Sequence, residues 1–160
     1  MQKTNSNQLR WLIFSVFIIA LDQASKWLVS HYLILNQPVE VLPFFNLLFM
    51  QNTGAAFSFL HDAAGWQRWM FSLIAVVISV VILRALYKMP KPDNLAACGL
   101  AMILGGAIGN LYDRLVHGYV VDFISLHAGN WYFATCNIAD GAITFGVIIW
   151  ILASWRTESA

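Results

Sequence analysis

Four long apolar stretches dominate this chain, and they constrain its fold more than any other feature. They run over 11–21, 69–83, 95–108 and 141–155. Each is shorter than the ~18 uncharged residues that would by themselves indicate a membrane span. Adding a turn or two of flanking polar residues brings each close to the ~20 residues that cross a bilayer. We therefore predict four transmembrane helices.

A soluble bundle of four buried helices is the alternative, and the small number of charged residues argues against it. Only 11% of the 160 residues are Asp, Glu, Lys or Arg, against roughly 25% in soluble domains. A soluble core of this size would need a charged outer shell. The formal net charge of +1 also predicts no nucleic-acid partner. The length suits a single integral-membrane domain over 1–160.

The cations predict the orientation of the helices. With the N-terminus inside, the outer side receives Lys26, Arg68 and Arg114. This excess of Lys and Arg inside is the positive-inside pattern, so both termini are expected in the cytoplasm. We expect the first stretch to be an uncleaved span rather than a secretory leader, because three more follow it. The cytoplasmic side receives Lys3, Arg10, Arg84, Lys88, Lys91 and Arg156.

Two outer segments have a composition typical of strands. Residues 38–60 are rich in aromatic and β-branched types and are interrupted by Pro43 and Gly54, and 118–124 is similar. We expect short strands at the outer interface, with edges that could bind an extended peptide. The two prolines of 89–93 instead predict a short cytoplasmic turn.

Two acids near the outer ends of the predicted spans form a candidate catalytic pair. Ionisable groups at a membrane are costly and are kept mostly where they pair or act. Asp122 lies between Val121 and Phe123, which predicts poor solvation and a raised pKa unless the acid is paired. Asp140 follows Asn137 at the start of the fourth span, the position of a helix-capping acid.

Structural roles account for other charged residues. Asp22 and Lys26 are four apart on one helix face, and we favour an ion pair at the membrane surface over direct chemistry. Asp113 is expected to be a solvated acid at the interface. The donors of Arg114 can hold carboxylates or a peptide carbonyl.

The sequence lacks the residue patterns that metal-dependent and serine-nucleophile catalysis require. The chain has no H-E-x-x-H, no histidines at metal-ligand spacing and no G-x-S-x-G, so we predict no metal, cofactor or serine nucleophile. Gly105 and Gly109 form a G-x-x-x-G pattern that predicts close helix packing. Cys98 and Cys136 should lie toward opposite ends of their spans, which disfavours a disulfide.

Two other functions remain open on the residues alone. A proton or ion transporter would distribute acids through the membrane depth, whereas the inner halves of the four spans hold none. A scaffold assembled on the G-x-x-x-G face would leave the outer acids unexplained.

Five short motifs follow one another along nearly the whole chain. They are LDQASK at 21–26, NTGAAF at 52–57, GGAIGNLYDR at 105–114, VVDF at 120–123 and NIAD at 137–140. Together they closely resemble the lipoprotein signal peptidases, the type II signal peptidase family of bacteria. The chain departs from the family pattern at Cys136, which is usually Phe, and at Gly141, which is more often Thr, Ser or Val.

The resemblance implies an aspartyl endopeptidase of the bacterial inner membrane, with four transmembrane helices and a small extracytoplasmic β-cradle. Its substrates are expected to be prolipoproteins, cut at the periplasmic face just before a cysteine that carries diacylglycerol. Membrane lipid is the other expected partner, and neither a cofactor nor an oligomeric partner is implied. The resemblance assigns catalysis to Asp122 and Asp140. It assigns supporting roles to Asp22, Lys26, Asn52, Gly54, Asn110, Arg114 and Asn137.

Overall fold

The computed structural model describes residues 8, 10–54, 65–89 and 93–158. Within these ranges, four helices are long and apolar enough to cross a membrane. They have 22, 23, 23 and 21 residues, enough for ~30 Å of hydrocarbon at ~1.5 Å per residue. The four predicted spans are confirmed, and which side of the membrane the termini face stays a prediction. The helices are α1 (Trp11–Tyr32), α2 (Trp66–Lys88), α3 (Asn94–Val116) and α4 (Ile138–Glu158).

Helix α3 lies at the centre of the bundle. In its apolar 18-residue stretch 67% of the residues are buried, against 28%, 28% and 22% in the corresponding stretches of α1, α2 and α4. The outer helices expose large apolar side chains such as Ile13, Trp69 and Phe145. Such surfaces are stable where the surrounding solvent is lipid, provided that the backbone hydrogen bonds are made within the helix.

Glycines allow α3 to approach both neighbours closely. A Cβ added to Gly105 would lie 2.9 Å from a side-chain atom of α1, and one added to Gly109 would lie 2.6 Å from Asp22 Oδ2. A Cβ on Gly99 would lie 2.7 Å from the carbonyl oxygen of Gly146 in α4. The close packing predicted from the G-x-x-x-G pattern is confirmed.

A four-stranded antiparallel sheet follows the ends of α1 and α3. The predicted strands are confirmed over 38–42, 45–52 and 120–124, whereas 55–60 lies outside the described residues. So does 90–92 of the predicted turn; beyond it, the Asp93 side chain caps α3 by accepting from the N–H groups of Leu95 and Ala96. The strands lie in the order β1 (Pro38–Leu42), β2 (Phe45–Asn52), β3 (Val120–Ala128) and β4 (Trp131–Tyr132).

The packing of the sheet determines which way Asp122 points. Val121 and Phe123 of β3 form a buried cluster with Phe49 of β2 and Val29 of α1. Side chains alternate between the two faces of a strand, so Asp122, which lies between them, faces the opposite way.

Candidate active site

Asp122 from β3 and Asp140 from the first turn of α4 line one cavity of about 250 Å³. The structure therefore brings together the two acids singled out from the sequence. Of the supporting residues, Asp22, Lys26 and Asn137 are buried in the protein. The other four share the lining of the cavity: Asn52, Gly54, Asn110 and Arg114.

Each carboxylate oxygen of the two aspartates accepts a hydrogen bond from an amide N–H. Asp122 Oδ2 lies 2.8 Å from Asn52 Nδ2, and Asp122 Oδ1 lies 2.7 Å from Asn137 Nδ2. Asp140 Oδ1 lies 2.8 Å from Asn110 Nδ2, and its Oδ2 lies 3.2 Å from the backbone nitrogen of Asn137. Asn137 therefore contacts both acids and links their positions.

The same residues begin helix α4. Asn137 Oδ1 accepts from the Asp140 N–H at 2.9 Å, while Asp140 Oδ2 accepts from the Asn137 N–H. This reciprocal arrangement is that of a capping box. Asp22 Oδ1 accepts from the next free donor, the Ala139 N–H, at 2.9 Å. The prediction of a helix-capping acid is confirmed, and the same carboxylate faces the cavity.

Asp122 is almost completely buried. Burial raises its pKa from 3.8 to about 6, and the nearby charge of Asp140 acts in the same direction. The hydrogen bonds from Asn52 and Asn137 and the charge of Lys26 lower the pKa and only partly offset the burial. A carboxylate between two apolar neighbours thus retains its proton to higher pH, as expected from the sequence.

A buried ammonium group holds Asn110 in place. Lys26 Nζ lies 2.8 Å from Asp22 Oδ2, 2.9 Å from Asp113 Oδ2 and 2.8 Å from Asn110 Oδ1. The predicted Asp22–Lys26 pair is confirmed, but it lies inside the protein, with Lys26 only 3% exposed and Asp22 0%. Because an ammonium only donates, Asn110 must face it with oxygen and present its NH₂ group to Asp140.

The prediction that Asp113 is a solvated interface acid is wrong. It is 1% exposed, because the C-terminal turn of α3 packs against both α1 and β3. Besides the ion pair with Lys26, its carboxylate accepts from Gln23 Nε2 at 2.9 Å and from the Val121 N–H at 3.2 Å.

Gln23 was not identified from the sequence, although it joins this network. Its Nε2 also lies 3.2 Å from Asp22 Oδ2 and 3.2 Å from the Gly109 carbonyl oxygen. The one feature of the sequence that could have pointed to Gln23 is its position next to Asp22.

Arg114 lies at the wall of the cavity beside the two acids. One N–H of its guanidinium donates to the Asn110 carbonyl at 3.2 Å, and its Cζ lies 5.3 Å from the ring centroid of Phe71. Its charge interacts with those of Asp140 and Asp122. That its donors hold carboxylates or a peptide carbonyl stays a prediction.

Part of the cavity wall was not predicted from the sequence. It includes 134–136 and Thr144, whose hydroxyl donates to the Asp140 carbonyl at 2.8 Å. Burial and the two nearby acids raise the pKa of the Cys136 thiol. A Cβ added to Gly141 would have no atom within 4 Å, so this position is not held to glycine by close packing.

Metal ligation has no evident place in the described parts of the chain. No group of three or more His, Cys, Asp or Glu side chains in those ranges is arranged to hold a metal ion.

Comparison with known proteins finds relatives over most of the chain. A family model for signal peptidase (SPase) II matches residues 14–156. A lipoprotein signal peptidase of Yersinia pseudotuberculosis serotype O:1b is 50% identical over 155 residues, covering 96% of this chain and 91% of that protein. One from Pseudomonas syringae pv. tomato is 48% identical over 160 residues, covering 99% and 92%.

A solved structure of a bacterial membrane enzyme, obtained by the in meso method at 2.3 Å resolution, has a similar fold. It superposes with a TM-score of 0.83 at 29% identity, and the match covers 94% of this chain and 90% of that one.

Proposed function

The chain belongs to the signal peptidase II family, and on that premise we propose that it removes signal peptides from prolipoproteins by two-aspartate catalysis. The proposed cut lies just before a cysteine that carries diacylglycerol. We place the enzyme in the bacterial inner membrane as one domain, with its cavity at the periplasmic face. The family makes it a protease, and its four apolar helices make it a multi-pass membrane protein.

The observation that supports this proposal most strongly is the pairing of Asp122 and Asp140 in one cavity. Two nearby carboxylates share a proton, because both cannot be ionised without a large repulsion. The four N–H donors on their oxygens fix both groups in advance. Such preorganisation lowers the cost of reaching the transition state.

The raised pKa of Asp122 suggests which of the two acids donates a proton and which accepts one. Asp122 holds the shared proton and donates it to the oxygen of the scissile carbonyl. Asp140 accepts a proton from the attacking water and then passes it to the leaving amine. Arg114 provides further donors close to the carbonyl, and its fork suits an oxygen that gains negative charge.

Lipid anchoring supplies proximity in this proposal. The acyl chains of the substrate cysteine hold the cleavage site at the membrane surface, near the ends of α1, α3 and α4. A bound substrate that stays at this depth meets the two acids far more often than a free peptide does.

The test is cleavage of a purified lipidated prolipoprotein by the purified protein in detergent. Asp122→Asn and Asp140→Asn should each abolish cleavage, because Asn keeps the shape of the side chain but cannot exchange the proton. Glu40→Gln, an exposed acid on β1, is the matched control and should retain activity.

Both catalytic-pair variants should also be compared with the native protein by thermal unfolding, so that loss of fold is separated from loss of chemistry. Appreciable turnover by either folded variant would contradict the two-aspartate assignment. Absence of cleavage by the native protein would contradict the function itself.

A further inference from the structure

The segment 133–136 forms an irregular strand beside β3. The Phe133 N–H donates to the Leu126 carbonyl at 2.9 Å, and the Cys136 N–H donates to the Ile124 carbonyl at 3.1 Å. The Cys136 carbonyl in turn accepts from the Ile124 N–H at 2.8 Å. These pairs make the segment an outer strand of the sheet next to the catalytic acids.

This strand contains a β-bulge. Between the two paired positions, β3 contributes only Ser125, whereas the outer segment contributes Ala134 and Thr135. Two residues opposite one is the definition of a bulge, and it turns backbone groups away from the neighbouring strand. Ala134 and Thr135 have no backbone hydrogen bond to any residue that the structure describes.

The two residues of the bulge belong to the wall of the cavity. Ala134 and Thr135 are half-buried, and they line the cavity together with Asp122 and Asp140. Unpaired N–H and C=O groups on a strand edge are a template for an added strand. The exposed edge at β1 is at the other end of the sheet order, away from the acids.

We infer that the backbone of Ala134 and Thr135 binds the substrate as an added β-strand, holding the chain before the scissile bond extended across Asp122 and Asp140. The inference rests on the proposed function, since the occupant is the signal peptide of the substrate. It adds a recognition element that reads the backbone of the substrate rather than its side chains. An extended chain is also the form in which a peptide bond is accessible from both sides to the two acids.

Backbone esters in the substrate test this inference. In a lipidated substrate peptide, each amide N–H before the cleavage site is replaced by oxygen, one at a time, with the scissile bond left intact. Only every second N–H of an extended strand faces its neighbour. We expect kcat/KM to fall about tenfold at alternate positions, which corresponds to ~1.4 kcal/mol, and less than about twofold between them.

A proline in the bulge assigns the effect to this edge. Thr135→Pro removes one N–H that has no partner to lose, and Thr135→Ala, which lacks the same side chain but keeps the N–H, is its reference. Relative to the alanine variant, the proline variant should lose about tenfold in kcat/KM. An ester in the substrate should then lower kcat/KM by less than it does with the alanine variant, because two changes that disrupt the same contact are not additive.

The outcomes separate the two proposals. If the unsubstituted parent peptide is not cleaved, the proposed function fails and this inference with it. If the parent is cleaved but no ester lowers kcat/KM, or the losses in kcat/KM do not alternate along the peptide, only the strand-addition inference is overturned. If the variant Thr135→Pro folds and its loss in kcat/KM simply adds to the loss caused by each ester, the inference is also overturned. If that variant does not fold, the series of esters with the native protein decides.

Discussion

Asp122 is the residue whose protonation most directly controls the proposed chemistry. Its pKa of about 6 results mainly from burial, and the hydrogen bond from Asn52 lowers it. Below about pH 6 the carboxyl keeps its proton, and above it the group ionises. If Asp122 is the general acid, kcat/KM must fall as the pH rises through about 6.

The pH dependence can be tested by removing the hydrogen bond from Asn52. A donor to a carboxylate favours the charged form, so Asn52→Ala should raise the pKa of Asp122. The falling limb of the pH profile of kcat/KM, which reports the free enzyme, should then move to higher pH. An unmoved limb, or one that moves down, would show that a different group carries the proton.

Asp113 illustrates how a buried acid can matter without lining the cavity. Asp113→Asn removes a charge that faces Lys26 at 2.9 Å. Because Asp22 still pairs with Lys26, the cost should be below the about 3–5 kcal/mol of a buried charge that is left unpaired. We expect a lower unfolding temperature and reduced turnover, because Lys26 also positions Asn110. Glu40→Gln, on the exposed strand, should change stability by less than about 0.5 kcal/mol. Equal unfolding temperatures for the two variants would contradict the buried pair.

At the scale of elements, α3 positions the site because its glycines allow α1 and α4 to come close. Gly109→Ala would bring a Cβ within 2.6 Å of Asp22 Oδ2, so the Asp22 carboxylate or the helix must shift. We expect destabilisation of about 1–3 kcal/mol, as for other overpacked sites, together with loss of activity. Thermal unfolding and turnover would measure both.

Gly141→Ala is the matched control for this change. It is also a helical glycine, but an added Cβ there has no neighbour within 4 Å. Replacing it should leave stability unchanged or raise it by about 0.5–1 kcal/mol, since alanine is the better helix former. Equal losses in the two alanine variants would mean that close approach at Gly109 is unimportant.

The elements themselves could be predicted from sequence to different degrees. The four spans and the strands follow from local composition, and the Asn137–Asp140 cap follows from two residues three apart. The burial of Asp113 could not be predicted in this way, because its partners Gln23 and Lys26 come from a distant helix. The bulge at 134–135 was not predicted, because unpaired backbone groups leave no signature in the side chains.

At the scale of the whole molecule, the surface of the bundle is suited to lipid. If anchoring determines selection, a prolipoprotein without its diacylglyceryl group should be cut much more slowly in the same micelles. Each buried acyl CH₂ contributes about 0.8 kcal/mol, and without the chains the scissile bond also lies at the wrong depth. Similar rates for the two forms would favour a general membrane peptidase.

The capping of α4 has a consequence for biosynthesis. Asp140 is fixed by Asn110 from α3, and the first turn that carries it is held by Asp22 from α1. Because α4 follows these helices in the chain, the second acid arrives last and is aligned only when α4 docks. If the two acids act together as proposed, a nascent or misassembled chain has the first acid without its partner, and we expect it to cleave no substrate until the final helix is in place.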